Sequence, residues 1–530
     1  MKIDVIETFG NWNPQFIREL KGRLKSRTVT LVATVSILAQ GLLMFFFYAQ
    51  LPTEKHPYGQ YMLSPRGELP VVIDWMKWWN DIFLTLNWIL PLALMLGGVY
   101  MLIQDLATEE RRGTLNFIRL SPQSGRDILI GKVLGVPILL YLGLALALPL
   151  QFWTAIAADI PLQLVLLQNG VFAIVTLSLF SLSLLFPLMG FSAAWLGTLL
   201  ASVAVIPSLQ FLHLIFNVAR LAIAQPDAWQ TFNDRWDLWV KWFNIPVSYS
   251  MATWYCFMGL SLATLMAGTW QVLNRRFRDP GTTLLSKKQS YFAVFGLNLF
   301  LLGFVFPVRS YALQNLGEFF LFGLIPFCLL LAIAALSSQR QPLQDWARYR
   351  RESTRKNIKN RQLLTDLLWG EKSPAVLAMS VNVAMTVAMW TPWLIGAHLY
   401  EPDYNHYEHW QGFLAVVLLA GLILICAAIA QIVLMKQMRK PQVWAAGIIA
   451  AILILPPLCL GILQMQPESY PLLFLLTSLP ILGAEYAPAF YFLSAIALQW
   501  TCLTLLTLQL RRQLTKAGES ETKRLISGVS

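Results

Sequence analysis

Residues Gly412 to Met435 read GFLAVVLLAGLILICAAIAQIVLM, an apolar run of 24 residues that contains no charged side chain. A helix needs about 20 apolar residues to cross a hydrocarbon core roughly 30 Å thick. This run alone is therefore long enough to span a membrane. Similar runs recur along the chain, and together they decide its fold class.

Twelve stretches of the chain qualify as membrane spans. The predicted spans are 28–51, 82–104, 133–157, 163–187, 190–216, 249–273, 291–308, 315–338, 375–400, 412–435, 442–465 and 487–510. The apolar stretch 470–483 is too short to span and is interrupted by prolines, so it is predicted to be re-entrant or interfacial. The 530 residues are 56% hydrophobic and 13% charged, against about 25% charged in soluble proteins. The sequence predicts an all-α polytopic membrane protein.

The distribution of basic residues orients these spans. If the N-terminus is cytoplasmic, the inner segments hold 33 of the 40 Lys and Arg residues; these segments are 1–27, 105–132, 274–290, 339–374, 436–441 and 511–530. Because cytoplasmic loops carry the excess of Lys and Arg, both termini are predicted to be cytoplasmic. The net charge of +12 is thus a signal of topology, and no nucleic-acid partner is expected. The basic segment 339–374 is expected to contact anionic headgroups or a cytoplasmic partner.

The spans carry almost no ionisable side chains. Apart from His213, expected to be a satisfied structural residue, every ionisable Asp, Glu, Lys, Arg or His falls in a loop or near a span end. An ion-driven carrier usually places a carboxylate near the midplane. Nor is there a phosphate-binding loop, because five residues separate Gly125 from Gly131 and Val133 follows Lys132. We predict no catalytic residue, metal site or cofactor site in this chain, and no enzymatic activity.

The cytoplasmic segment 105–132 reads DLATEERRGTLNFIRLSPQSGRDILIGK and joins the second and third spans. Thr108 is predicted to cap a first helix, and Ser124-x-x-Asp127 is a capping-box variant that begins a second one. The apolar side of the first helix is predicted to consist of Leu115, Phe117 and Ile118. A short helix held between two membrane helices can pass the movement of a cytosolic partner to both spans.

This segment resembles the coupling segment of type-2 ABC exporter permeases, through the pattern Glu-x-x-x-Gly-Thr-Leu, Leu-x-x-Pro and Gly-Lys at the mouth of a span. The resemblance implies that the segment docks into a groove of a separate ATP-binding subunit. The residues implied to couple the chain to that subunit are Glu109, Glu110, Arg111, Gly113, Thr114, Leu115, Leu120, Pro122, Gly131 and Lys132. ATP and Mg are then expected in the partner subunit, and no cofactor in this chain.

Other segments agree with the resemblance. Residues 1–27 are predicted to form an amphipathic interface helix with Asn13 as its cap and an apolar stripe along one side; the stripe consists of Phe16, Ile17, Leu20 and Leu24. Aromatic residues predict an outer interfacial helix over 226–247. In the second half, leucines before Pro374 predict another inner-surface helix, and Gly281-Thr282-Thr283-Leu284 is only an echo of the coupling pattern.

The expected organisation is therefore an interface helix (1–27), a first six-span unit (28–275), a second six-span unit (276–510) and a cytoplasmic tail (511–530). The expected function is that of the membrane permease subunit of an ABC exporter, in a prokaryotic plasma membrane. Its partners are ATP-binding subunits and the lipid bilayer, and the two halves form a pseudo-dimer or the chain forms a homodimer. Two alternatives are a twelve-span secondary transporter and a membrane-embedded transferase that uses the acidic loop 52–81.

Overall fold

The computed structural model describes residues 12–52, 60–63, 72–224, 241–247, 251–306, 311–338, 340–355, 361–400 and 409–518. Within these ranges the chain is almost entirely helical, and two short strands form a hairpin. Twelve of the described helices are long and apolar enough to cross a membrane. The predicted all-α polytopic fold is confirmed, and the chain is an integral membrane protein.

The first of two compact units comprises residues 1–239 and 248–278. Its helices are α1 (Pro14–Arg23), α2 (Ser26–Tyr48), α3 (Trp75–Arg112), α4 (Thr114–Arg119), α5 (Gly125–Gly135), α6 (Ile138–Ala157), α7 (Leu162–Ser183), α8 (Leu185–Leu188), α9 (Ala194–Ala224) and α10 (Met251–Arg278). The six spans of this unit are α2, α3, α6, α7 with α8, α9 and α10.

The second unit comprises residues 240–247 and 279–530. Its elements are β1 (Lys241–Trp242), β2 (Ile245–Pro246), α11 (Lys287–Val305), α12 (Tyr311–Phe319), a π-helical turn (Phe320–Leu324), α13 (Ile325–Leu336), α14 (Arg340–Arg355), α15 (Arg361–Trp369), α16 (Val376–Tyr400), α17 (His409–Leu434), α18 (Pro441–Ile462), α19 (Pro471–Leu475), α20 (Ile481–Ala484) and α21 (Ala489–Ala517). The inner-surface helix predicted before Pro374 is present as α15.

Helix α2 shows why a membrane is required. It is apolar around its whole circumference, yet Phe47 is its only buried residue. A helix that is hydrophobic all round needs an apolar environment on every side. Because the protein covers so little of α2, lipid has to cover the rest.

The end of the first unit that carries the segment 105–132 has a continuous apolar core. Leu102 and Leu106 of α3 meet Leu115 of α4 and Phe277 of α10 in this cluster. The guanidinium Nε of Arg276 donates to the carbonyl of Leu188 at 3.0 Å and thereby ties α10 to α8. The short helix α4 is thus packed against the ends of membrane helices and has no independent core.

One of two predictions for the second unit holds in the structure, and the other changes. The stretch 470–483 was expected not to span the membrane, and it forms only the two short helices α19 and α20. Leu475 and Ala484 of these helices pack against residues of α17 and α21. The last span continues as helix to Ala517, beyond the predicted end at 510. Charged residues in its final turns extend into water, where a helix needs no apolar face.

The predicted outer helix over 226–247 is wrong where it can be checked. Residues 225–240 lie outside the described ranges, and 241–247 form the β-hairpin instead. Phe243 and Asn244 have φ of 44° and 69°, the two positive values that a tight two-residue hairpin turn requires. The indole N–H of Trp242 donates to the carbonyl of Phe300 at 3.1 Å. This tertiary contact overrides the helical spacing of the aromatic residues.

Candidate functional site

The break after the second span lies at Gly113. Helix α3 continues through Thr108, whose hydroxyl donates to the carbonyl of Gln104 at 2.6 Å. The predicted cap at Thr108 is therefore wrong, because Thr108 lies inside α3, which continues to Arg112. Gly113 has φ of 73°, a left-handed conformation that glycine adopts without steric cost. It ends α3 and starts α4 in a new direction.

Helix α4 presents two opposite faces. Leu115 and Ile118 are 1% and 7% exposed and belong to the cytoplasmic core. Phe117 and the following Leu120 are 81% and 85% exposed. The prediction that Phe117 shares the apolar side of Leu115 is wrong, since a six-residue helix places them on different faces. Two large apolar side chains are therefore left uncovered by the protein at the tip of the segment.

Helix α5 begins as predicted at Ser124. The Ser124 hydroxyl accepts from the backbone N–H of Asp127 at 3.1 Å and donates to the Asp127 carboxylate at 2.6 Å. Helix α5 ends at Gly135, and the third span starts as α6 after Pro137. The segment is therefore three rigid pieces, α3, α4 and α5, joined by short turns.

Helix α1 packs against α5 through polar residues. Its predicted cap is confirmed, because the Asn13 side chain accepts from the N–H of Phe16 at 3.0 Å. The Asn13 amide also donates to the carbonyl of Asp127 at 2.7 Å. The buried residues of α1 are Gln15 and Glu19, whereas the predicted apolar stripe stays at least partly exposed. Gln15 and Glu19, to which sequence reasoning gave no role, lie on the side of α1 that contacts the protein.

Two glycines allow this close approach. A Cβ at Gly131 would lie 2.8 Å from the Asn13 Oδ1 and from the backbone nitrogen of Phe16. A Cβ at Gly135 would lie 2.6 Å from the Glu19 Cβ. Gly131, predicted to take part in coupling, therefore provides the space into which α1 fits.

Lys132 is the centre of a buried ionic network. Its side chain is 1% exposed, and its Nζ lies 2.7 Å from Asp105, 2.8 Å from Glu109 and 3.8 Å from Glu19. Arg23 completes the network at 2.7 Å from Asp105 and 3.1 Å from Glu19. Burial alone would lower the pKa of Lys132, but the carboxylates of Asp105 and Glu109 outweigh it and raise that pKa. The network joins α1, α3 and α5 through charged side chains.

The three carboxylates of this network are close enough to ligate a metal ion. One oxygen from each of Glu19, Asp105 and Glu109 lies within 4.8 Å of the others. The ammonium of Lys132 contacts the same three groups and occupies the position that a cation would take. The cluster is therefore a salt-bridge network.

The ten residues predicted to couple the chain to a partner fall into two groups. The exposed ones are Glu110, Arg111, Gly113, Thr114, Leu120 and Pro122. The buried or partly buried ones are Glu109, Leu115, Gly131 and Lys132. The second group holds the segment together and leaves the first group, with Phe117, as the surface that a partner can reach.

Sequence reasoning missed Glu19, Arg23 and Asp105, and it placed Phe117 on the wrong face of its helix. Two signals were available, because Glu19 and Arg23 are four residues apart on one helix, as are Asp105 and Glu109. Side chains at that spacing share a helix face. The pairing of these two faces through Lys132 depends on tertiary structure and has no local signal.

In the second unit, a buried lysine at the start of α11 makes contacts of a different kind. The Nζ of Lys287, at the start of α11, donates to the carbonyl of Leu367 and the hydroxyl of Ser373, both at 2.6 Å, and to the carbonyl of Pro374 at 3.1 Å. Lys287 thus ties α15 and the start of α16 to α11 through uncharged oxygens. The Gly281–Leu284 echo forms a turn before α11 and has no helix like α4.

Comparison of the chain with known protein families, with curated proteins and with solved structures gave no match. The class that the fold defines is a polytopic all-α membrane protein. Any more specific function has to be argued from the cytoplasmic segment itself.

Proposed function

We propose that this chain is the membrane permease subunit of an ATP-driven exporter of the type-2 ABC class. The observation that carries the proposal is helix α4, which leaves Phe117 and Leu120 uncovered by the protein while its other face is packed against the spans. Exposed apolar side chains on a rigid support are typical of an interaction site. The groove of a separate ATP-binding subunit would cover them.

A contact at α4 can transmit a movement of the partner to the membrane spans. Helix α4 follows the second span after the single residue Gly113, and α5 leads into the third span. The ionic network at Lys132 also connects α1, which precedes the first span. A partner that changes position as it binds and hydrolyses ATP would therefore move three spans together. Transport follows if the cargo interacts differently with the two resulting states.

The proposed setting is a prokaryotic plasma membrane with both termini in the cytoplasm, where ATP is available. ATP and Mg would bind to the partner subunit. The basic inner loops support this orientation. The two compact units are compatible with one chain that supplies both permease halves.

The test is co-purification from native membranes. We expect an ATP-hydrolysing protein to co-purify with the tagged chain and to be lost when Phe117→Ser and Leu120→Ser are combined. Burial of a Phe or Leu side chain contributes about 1.5–3 kcal/mol, so losing both weakens binding at least about tenfold. Mass spectrometry and ATPase assays measure the recovered partner.

Met438→Ser is the matched control, because Met438 is a partly exposed apolar residue on another inner loop. It should leave co-purification unchanged. Equal recovery of the ATPase with the double variant would contradict the docking role of α4. Transport driven by an ion gradient, by the purified chain alone, would instead establish a secondary transporter.

A further inference from the structure

A polar pocket lies beside the turn between α4 and α5, where the end of α10 approaches it. Its volume is about 370 Å³. Arg119 and Arg278 line it, together with the polar residues Gln123 and Ser124 and the first residue of α5, Gly125. None of the lining residues carries a negative charge. The pocket belongs to the first unit and is distinct from the exposed face formed by Phe117 and Leu120.

The guanidinium of Arg119 is held in place and keeps a donor unused. One of its terminal nitrogens donates to the Asn116 side chain at 3.0 Å, and its plane lies over the ring of Phe277 at 5.4 Å. Its Nε is shielded from solvent and has no hydrogen-bond partner. A donor with so little accessible surface is not reached from the pocket, but the second terminal nitrogen of Arg119 makes no hydrogen bond to the described part of the protein, and an anion in the pocket can accept from it.

The start of α5 adds further donors. The first N–H groups of a helix have no acceptor within the helix, and the helix dipole makes this end attractive to anions. The Ser124 hydroxyl occupies the N–H of Asp127 and leaves the earlier ones, at Gly125 and Arg126. A Cβ at Gly125 would lie 2.9 Å from the Phe277 ring, so glycine lets the first turn reach the ring that supports Arg119.

Nearby carboxylates do not fill the pocket. The Asp127 carboxylate accepts from the Ser124 hydroxyl at 2.6 Å and is not among the lining groups. Glu110 interacts electrostatically with Arg119 but lies outside the pocket as well. Arg278 is exposed at the other wall. Two positive side chains and a helix start therefore converge on one space.

We propose that this pocket binds a phosphate monoester group. A tetrahedral dianion presents acceptors in several directions at once, as Arg119, Arg278 and the N–H groups of α5 require. The group could belong to a soluble phosphate compound or to the headgroup of an anionic lipid at the inner surface. The proposal does not depend on an ATP-binding partner.

The first experiment measures binding of inorganic phosphate to the full chain in detergent, by calorimetry at matched ionic strength. We expect saturable binding that weakens about tenfold or more in Arg278→Gln, because a charge-assisted contact is lost. Arg278 is exposed, so the variant should fold. Arg112→Gln is the control for general charge, since Arg112 is exposed and does not line the pocket; its affinity should stay within about twofold. Arg119→Lys keeps the positive charge but lacks the planar set of donors of the guanidinium, so this variant should also bind phosphate more weakly.

The second experiment separates the two sources. The chain is placed in nanodiscs of phosphatidylcholine with and without phosphatidic acid, and thermal unfolding is followed by tryptophan fluorescence. Saturable phosphate binding in detergent, sensitive to Arg278→Gln, supports a soluble ligand. Stabilisation by phosphatidic acid alone, lost in the same variant, supports a lipid headgroup. Equal behaviour of wild type and Arg278→Gln in both experiments overturns the proposal. The proposal is also overturned if the wild type binds no phosphate and Arg278→Gln loses a co-purifying protein. The pocket would then be a protein-docking surface.

Discussion

Lys132 is the residue on which the cytoplasmic corner of the first unit depends. Replacing it with Met leaves the carboxylates of Asp105, Glu109 and Glu19 close together without their shared cation. Removing one partner from a buried ionic group costs about 3–5 kcal/mol, and the partial exposure of these carboxylates places the expected loss at the lower end. We expect a lower melting temperature for Lys132→Met, whereas Lys21→Met, at an exposed position of α1, should resemble wild type.

The pH dependence of this difference follows from the raised pKa of Lys132. A cation whose pKa is higher in the folded state contributes stability below its unfolded pKa, about 10.4 for lysine, and loses it as pH rises through the folded value. The stability gap between wild type and Lys132→Met should therefore stay constant from neutral pH to about pH 9. A gap that closes over that range would contradict the raised pKa.

The absence of a side chain at Gly131 leaves the room that α1 needs to pack against α5. In Gly131→Ala the new methyl group would meet the Asn13 side chain and the Phe16 backbone at 2.8 Å, so α1 has to move. Overpacking of this kind costs about 1–3 kcal/mol. Gly22→Ala on α1 is the matched control, because a Cβ there meets nothing within 4 Å. Limited proteolysis near residue 25 should be faster in the first variant and unchanged or slower in the second.

At the scale of elements, Gly113 sets the direction of α4. Alanine is disfavoured in the left-handed conformation of Gly113 by about 1–2 kcal/mol, whereas asparagine tolerates it. We expect Gly113→Ala to lower the melting temperature and to weaken recovery of the proposed ATP-binding partner, since Phe117 and Leu120 would be misdirected. Gly113→Asn should retain both properties. If both properties decreased equally in the two variants, the cause would be the presence of any side chain at position 113 and not the left-handed backbone conformation.

The elements also show how far sequence patterns reach. The caps at Asn13 and Ser124 were predictable, because their side chains bond to N–H groups three residues away. The start of a helix at Thr108 was not correctly predicted, because Thr108 directly follows the last buried turn of α3, at Leu106 and Ala107, and the helix continues unbroken to Arg112. The polar packing of α1 on α5 joins residues more than a hundred positions apart, and no local pattern encodes it.

At the scale of the whole molecule, the twelve spans were predictable because lipid cannot satisfy backbone hydrogen bonds, so each long apolar run has to be helical. Outside the spans water can satisfy the backbone hydrogen-bonding groups, so an apolar pattern does not require a helix, and the residues 241–247 form a hairpin where a helix was predicted. The candidate docking surface was predictable only in part. Its position in the chain was predictable, but the division into exposed Phe117 and Leu120 and a buried ionic support required the packing of α3, α4, α5 and α10.

The bond from Asn13 to the carbonyl of Asp127 spans 114 residues, and this has a consequence for biogenesis. The ribosome adds about 5–20 residues per second, so α1 emerges on the order of ten seconds before its anchor exists. During that interval the first two spans enter the bilayer while the leading helix waits unattached. The contact between α1 and α5 can therefore form only after the turn that precedes α5 has left the ribosomal exit tunnel.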